Sequence, residues 1–291
     1  MSDTHDKDVD TVTGTATTGH EWDGIKELNT PLPRWWLWTF YGCIVFALGY
    51  TVAFPAWPMI SSATTGILGY SSRAEFDQQI AAATAAQGDK VAQIAAMPVG
   101  DILESDELKR FASAAGESLF KVNCTQCHGT GAAGAPGYPN LNDDEWIWGG
   151  TIEQIYGTIF HGARSDLDAN TQFNLMPNFG ADGMLTPEEI DLVSREVAAF
   201  SGIEGGQSSE RGAKLFADNC TSCHGPKGEG IPASGGPSLV DQIWLYDGTL
   251  AGIKAQVNLP RHGVMPAWGD RLGDAAVKQL AVYVHGLGGG Q

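Results

Sequence analysis

Between Arg34 and Arg73 the chain carries no charged residue. Within that stretch residues 35–54 (WWLWTFYGCIVFALGYTVAF) supply about 20 mostly apolar positions, enough for one helical crossing of a bilayer. Pro55 and Pro58 end or kink such a helix. Trp35, Trp36 and Trp38 at one end and Trp57 at the other resemble interfacial aromatic belts. A buried core helix is the alternative, and the length and aromatic flanks favour a membrane span. The segment before it is long and acidic (Asp3, Asp6, Asp8, Asp10, Glu21, Asp23), unlike a cleaved signal peptide. Lys26 and Arg34 precede the span closely and Arg73 is the next cation, an asymmetry that places the N-terminus in the cytoplasm.

Outside the span the pattern changes. Residues 1–20 are rich in Thr, Asp and Gly and are expected to be disordered. Residues 74–115, rich in Ala, Gln and Glu, read as one or two helices. From residue 116 the chain repeats itself. Gly116, Leu119, Phe120, Asn123, Cys124, Cys127 and His128 match Gly212, Leu215, Phe216, Asn219, Cys220, Cys223 and His224 at an offset of 96. Pro139, Leu141, Trp146, Gly150 and Thr151 match Pro237, Leu239, Trp244, Gly248 and Thr249 at an offset of 98. Both copies then carry His-Gly (His161, His262) and Met-Pro (Met176, Met265), and both end in helical patterns, over 186–200 and 274–285. Thr186-Pro187-Glu188-Glu189 is a strong helix start, with a hydroxyl cap, Pro at the first position and acids in the first turn. The Gly/Ser-rich residues 202–209 read as a hinge between the copies.

The formal net charge of −17 argues against nucleic acid as a partner, since phosphates attract Lys and Arg. It suits steering of a basic protein partner, and equally serves plain solubility. Of the 5 cysteines four form two copies of Cys-x-x-Cys-His; the fifth, Cys43, lies in the apolar run, where it serves as a small hydrophobe.

Cys124-Thr125-Gln126-Cys127-His128 and Cys220-Thr221-Ser222-Cys223-His224 are attachment motifs for c-type haem. Two cysteines a turn apart can form thioethers with the two vinyl groups of one porphyrin, and the histidine is then held beneath the iron. A structural zinc site would bring its two cysteine pairs closer together in sequence and would not require a histidine after each. A redox dithiol would sit in a strand–helix–strand setting, which is not visible here. His128 and His224 are therefore the proximal ligands. Met176 and Met265, each followed by Pro, are the candidate distal ligands, because proline fixes an extended loop that can present sulfur to iron. Met184 competes with Met176 but sits just before a helix cap, where packing suits it better. His161 and His262 are possible axial ligands, propionate partners or helix caps. Arg164 and Arg261 are candidates to face propionates. With both irons capped by His and Met, no site remains for oxygen or peroxide, so no catalysis is expected within this chain. No Ser/His/Asp set, P-loop or dinucleotide fingerprint is present.

The plan of each copy resembles the class I cytochrome c fold. The expected fold class is mostly α, one N-terminal transmembrane helix followed by two tandem class I cytochrome c domains. The expected divisions are a cytoplasmic tail and lead-in (1–34), a transmembrane helix (35–60), a helical connector (61–110), and cytochrome c domains at 111–203 and 207–291. The whole resembles the di-haem P subunit (CcoP or FixP) of cbb3-type cytochrome c oxidase. The stretch Asp23-Gly24-Ile25-Lys26-Glu27-Leu28-Asn29-Thr30-Pro31-Leu32-Pro33-Arg34-Trp35-Trp36 is similar to that family's approach to its membrane helix. The resemblance implies two covalently bound haem c groups and a non-catalytic electron-transfer role in the bacterial inner membrane, with the haem domains periplasmic. Electrons would pass from a donor cytochrome c to the mono-haem cytochrome c subunit and on to the catalytic haem-copper subunit, where oxygen is reduced and protons are pumped. The alternative is a free-standing membrane-anchored di-haem electron shuttle. Whether each Met serves the haem of its own repeat or of the other stays open at this level.

Overall fold

A computed structural model describes residues 8–291, and the chain divides into an N-terminal unit ending at Thr84 and a larger unit, Ala85–Gln291.

The N-terminal unit opens on a hairpin where composition leads one to expect disorder; residues 1–7 lie outside the described residues. Strand β1 (Thr17–Trp22) pairs antiparallel with β2 (Ile25–Leu28), with Trp22 opposite Ile25 and Glu21 opposite Lys26. The two-residue turn between them is Asp23-Gly24, at φ 52° and 83°. Both residues at positive φ make the tight hairpin turn that Asp-Gly favours. Helix α1 (Arg34–Ala53) is 20 residues long, about 30 Å at 1.5 Å per residue. None of its residues is buried, and its mean hydropathy is 1.4. A helix apolar all round with no buried residue matches a lipid environment. It stops before residue 60: Phe54 is extended, as the residue preceding a proline must be.

The larger unit contains the C-terminal part of α2 (Ser72–Ala96), two 3-10 turns (Gly100–Glu104 and Pro232–Ser234) and nine further α-helices. In chain order the first repeat supplies α3 (Asp106–Asn123), α4 (Thr125–His128), α5 (Ile152–His161) and α6 (Pro187–Phe200). The second supplies α7 (Glu210–Asn219), α8 (Thr221–His224), α9 (Leu250–Asn258), α10 (Gly269–Leu272) and α11 (Asp274–His285). Side-chain oxygens cap most of the longer helices. Ser105 accepts from Leu108 N–H and Ser209 from Gly212 N–H, while Thr151 and Thr186 form capping boxes with Gln154 and Glu189.

The bundles in space cross from one repeat to the other. α11 packs on α3 and α5, and α6 packs on α7 and α9. Each bundle thus takes its C-terminal helix from the other repeat. One core holds Ile102, Phe120, Ile152, Ile155, Ile159, Val277, Leu280 and Val284; the other holds Phe179, Ile190, Val193, Val197, Phe216, Ile253 and Val257. Two glycines allow the crossings. A Cβ on Gly116 would lie 2.2 Å from the Gln279 carbonyl oxygen, and one on Gly212 would lie 3.0 Å from that of Leu192.

Candidate functional site

Each Cys-x-x-Cys-His motif folds as one tight helical turn. Phe120 C=O accepts from Cys124 N–H, and Cys124 C=O from His128 N–H, at 2.8 and 2.9 Å; Phe216, Cys220 and His224 repeat this at the same distances. Gly129 and Gly225, at φ 79° and 80°, end the turns in a conformation that side chains disfavour. The chain then bends back so that Pro139 C=O lies 3.0 Å from Nδ1 of His128 and Pro237 C=O lies 2.9 Å from Nδ1 of His224. A carbonyl can only accept, so each Nδ1 carries the proton and each Nε2 is left as a free lone pair. Burial lowers the pKa of both imidazoles, against the pull of the proline carbonyls. Both rings are therefore neutral at pH 7, the state that ligates a metal.

Burial also pushes the Cys124 and Cys220 thiols up to about 11. An activated redox dithiol needs the opposite shift.

The two methionines sit across the exchange. Met176, from the first repeat, packs into the core that contains Phe216 and Cys220 and lines a cleft with Cys220, Cys223 and His224. Met265, from the second repeat, packs into the core that contains Phe120 and Cys124. The backbones of Ala163 and Met265 exchange two hydrogen bonds, at 3.0 and 2.9 Å, which hold this loop at the first motif. Met184 is 55% exposed and does not line the cleft. The ring of His161 lies 2.7 Å from the Asp168 carboxylate, whereas His262 lines the cleft with Met176. Burial and the nearby Arg164 cation hold His262 below its usual range, against a hydrogen bond to the Met176 backbone.

The residues of this cleft suit a haem. It is a broad cleft, open to solvent at its mouth. Val193, Val197, Phe216, Ile253 and Val257 give it an apolar wall on which a porphyrin plane could lie, and charged groups including Arg164, Asp247 and Arg261 also line it. Trp244 lines it, and its buried indole N–H has no hydrogen-bond partner among the described residues. The repeat-matched Trp146 instead donates to Gly289 C=O at 2.5 Å.

Sequence reasoning missed the proline carbonyls and the two tryptophans as functional groups, although both pairs stood out in the repeat. It also missed the crossed packing of the loops between them: Trp148 lies over Gly235, and Tyr246 over Gly137.

The family described as the N-terminal domain of cytochrome oxidase-cbb3, FixP, matches residues 14–61, and the family described as cytochrome c oxidase, cbb3-type, subunit III, matches residues 111–195 and 207–284. A cbb3-type cytochrome c oxidase subunit FixP from Sinorhizobium medicae is 53% identical over 292 residues, covering 100% of both chains. A subunit CcoP from Cereibacter sphaeroides is 48% identical over 276 residues, covering 94% of this chain and 95% of that one.

Proposed function

The chain belongs to the FixP/CcoP family of cbb3-type cytochrome c oxidase subunits, and from that premise we propose that it carries two covalent haem c groups and relays electrons without catalysing oxygen reduction itself. It is a membrane-anchored cytochrome c subunit of a terminal oxidase. The observation that carries the finer reading is the convergence, in one cleft, of Cys220, Cys223, a neutral His224 with a free Nε2, and the thioether of Met176.

In this reading Cys124 and Cys127 hold the first haem, with His128 and Met265 on its iron. Cys220 and Cys223 hold the second, with His224 and Met176. When bound, haem iron supplies one-electron chemistry, and thioether ligation favours its ferrous state. The chain's own groups do the rest. Pro139 and Pro237 orient the imidazoles, and the thioethers of Met265 and Met176 would ligate the iron and keep oxygen from it. The span sets the N-terminus in the cytoplasm and the haem domains in the periplasm, as the Lys26 and Arg34 flank supports. Electrons enter from a donor cytochrome c and leave toward the mono-haem subunit and the catalytic haem-copper subunit. The acidic surface suits a basic donor, whose oxidation rate is then expected to fall as salt rises.

Mild-detergent purification through a tag on this chain tests the proposal. Two haems c per chain, together with haem b, copper and oxygen uptake from reduced cytochrome c, are expected. Two haems c alone, with no copper and no uptake in several detergents, would instead establish a free-standing electron shuttle.

A further inference from the structure

Arg164 belongs to the first repeat, yet it lines the cleft built around Cys220, Cys223 and His224. It adopts φ 55°, a left-handed conformation that non-glycine residues rarely take. Three contacts pin it there. Its N–H donates to Gln172 C=O at 2.7 Å, its Nε to Gly263 C=O at 2.6 Å, and its Nη1 to Asn174 C=O at 3.3 Å. The guanidinium also lies over the Trp148 ring, 5.8 Å from its centroid. Half-buried, it meets no carboxylate within 4.0 Å among the described residues. Two neutral carbonyls take two of its five donors, and although Asp247 also lines the cleft, no carboxylate pairs with the guanidinium among the described residues. A buried cation in that state is costly unless a ligand completes it.

The flanking residues hold the other site. Ala163 exchanges both backbone hydrogen bonds with Met265, and Ser165 Oγ accepts from Ala267 N–H at 3.3 Å. Residues 163–165 therefore brace the Met265 loop at the first motif, while the side chain between them enters the cleft of the second.

We propose that Arg164 binds a carboxylate of the haem attached at Cys220 and Cys223, a clamp supplied by the opposite repeat. A planar fork with free N–H donors matches a carboxylate, and an ion pair there offsets the burial of both charges. The clamp also favours the reduced state. Iron gains negative charge on reduction, and a propionate neutralised by Arg164 repels that charge less. The inference rests on the reading that this cleft holds a haem.

The test is a redox titration of Arg164→Gln and Arg164→Lys in the purified complex, in a background where only the second haem is present (Cys124→Ser, Cys127→Ser) and in one where only the first is (Cys220→Ser, Cys223→Ser). Haem content of these backgrounds reads the underlying assignment separately, since each must lose one haem per chain. For the second haem, Arg164→Gln is expected to lower the reduction equilibrium constant about tenfold, or about 59 mV for one electron. Arg164→Lys keeps the charge and is expected to recover most of this. An unchanged second haem would overturn the proposal. So would a shift confined to the first haem, because Arg164 would then serve only to brace the Met265 loop. If Arg164→Gln fails to assemble, Arg164→Met, which removes the charge and keeps the apolar stem, decides in its place: a lowered second potential is expected, and no shift there refutes the clamp.

Discussion

Phe120, on the helix that leads into the first Cys-x-x-Cys-His turn, lies against Tyr283 on the last helix of the chain, with ring centroids 5.4 Å apart. The matching Phe216 lies edge-on against Phe200 of the first repeat at 5.0 Å. Both entry helices are therefore closed by the other repeat, and each Met-Pro loop travels with the helix that follows it.

This exchange predicts how the ligands are shared. In a chain with Cys220→Ser and Cys223→Ser, only the first haem remains. Met265→His should then lower its potential, because His/Met ligation favours ferrous iron over His/His. Met176→His in the same background should leave it nearly unchanged. Redox titration with absorbance detection reads both, and the reverse pattern would show that each repeat ligates its own haem.

The helix crossing at Gly116 is the tighter of the two, with a Cβ only 2.2 Å from backbone oxygen against 3.0 Å at Gly212. Backbone cannot yield as a flexible side chain does. Gly116→Ala is expected to cost about 1–3 kcal/mol, the range of core overpacking, and Gly212→Ala less. Denaturant midpoints of the detergent-solubilised chain would rank them.

Lys278 is nearly buried, and its ammonium donates to the carbonyls of Ile94, Ala95 and Met97 at 3.3, 2.9 and 2.8 Å while pairing with Asp274 at 2.7 Å. It neutralises the end of α2, where carbonyls lack partners. Lys278→Met is expected to cost about 1.5–3 kcal/mol, the range for hydrogen bonds to charged groups. Asp274 gives this network a pH dependence. Burial raises its pKa, but the bonds donated by Lys278 and by Tyr156 (2.6 Å) outweigh it, and the carboxyl lies below its usual 3.8. A depressed acid stabilises the fold above its unfolded pKa and loses that contribution as pH falls through the folded value. Asp274→Asn should therefore be less stable than the parent at pH 7, and the gap should shrink below about pH 4. Urea midpoints across that range check the sign.

Trp244 lines the second cleft and its buried indole N–H has no partner among the described residues, while Trp146 donates to Gly289. Trp244→Phe is expected to shift the potential of the second haem and leave the first unmoved. Trp146→Phe should chiefly loosen the C-terminal segment around Gly289. Equal effects of the two on their haems would contradict the asymmetry seen here.

Much of this was legible from short-range pattern. The Cys-x-x-Cys-His turns need only neighbouring residues, and so do the Thr186 cap and the stop before Pro55. The apolar run of α1 depends on composition and length alone. The N-terminal hairpin had a local signal too, in Asp23-Gly24, but it lies in a segment whose prolines and polar composition point to an extended lead-in. Its strands are held by pairing across the turn, which composition does not report.

The membrane-length apolar run, the two Cys-x-x-Cys-His motifs and the two Met-Pro loops can be read from neighbouring residues alone. Which loop and which helix close which cleft emerges only from the packing in three dimensions. The reason is physical: two related repeats offer two similar apolar faces to two similar helices, and hydrophobic burial carries no direction with which to choose between them. That choice is made by specific contacts between residues distant in the chain, Gly116 with Gln279 and Ala163 with Met265, and it is the same choice that sends Arg164 into the cleft of the opposite repeat.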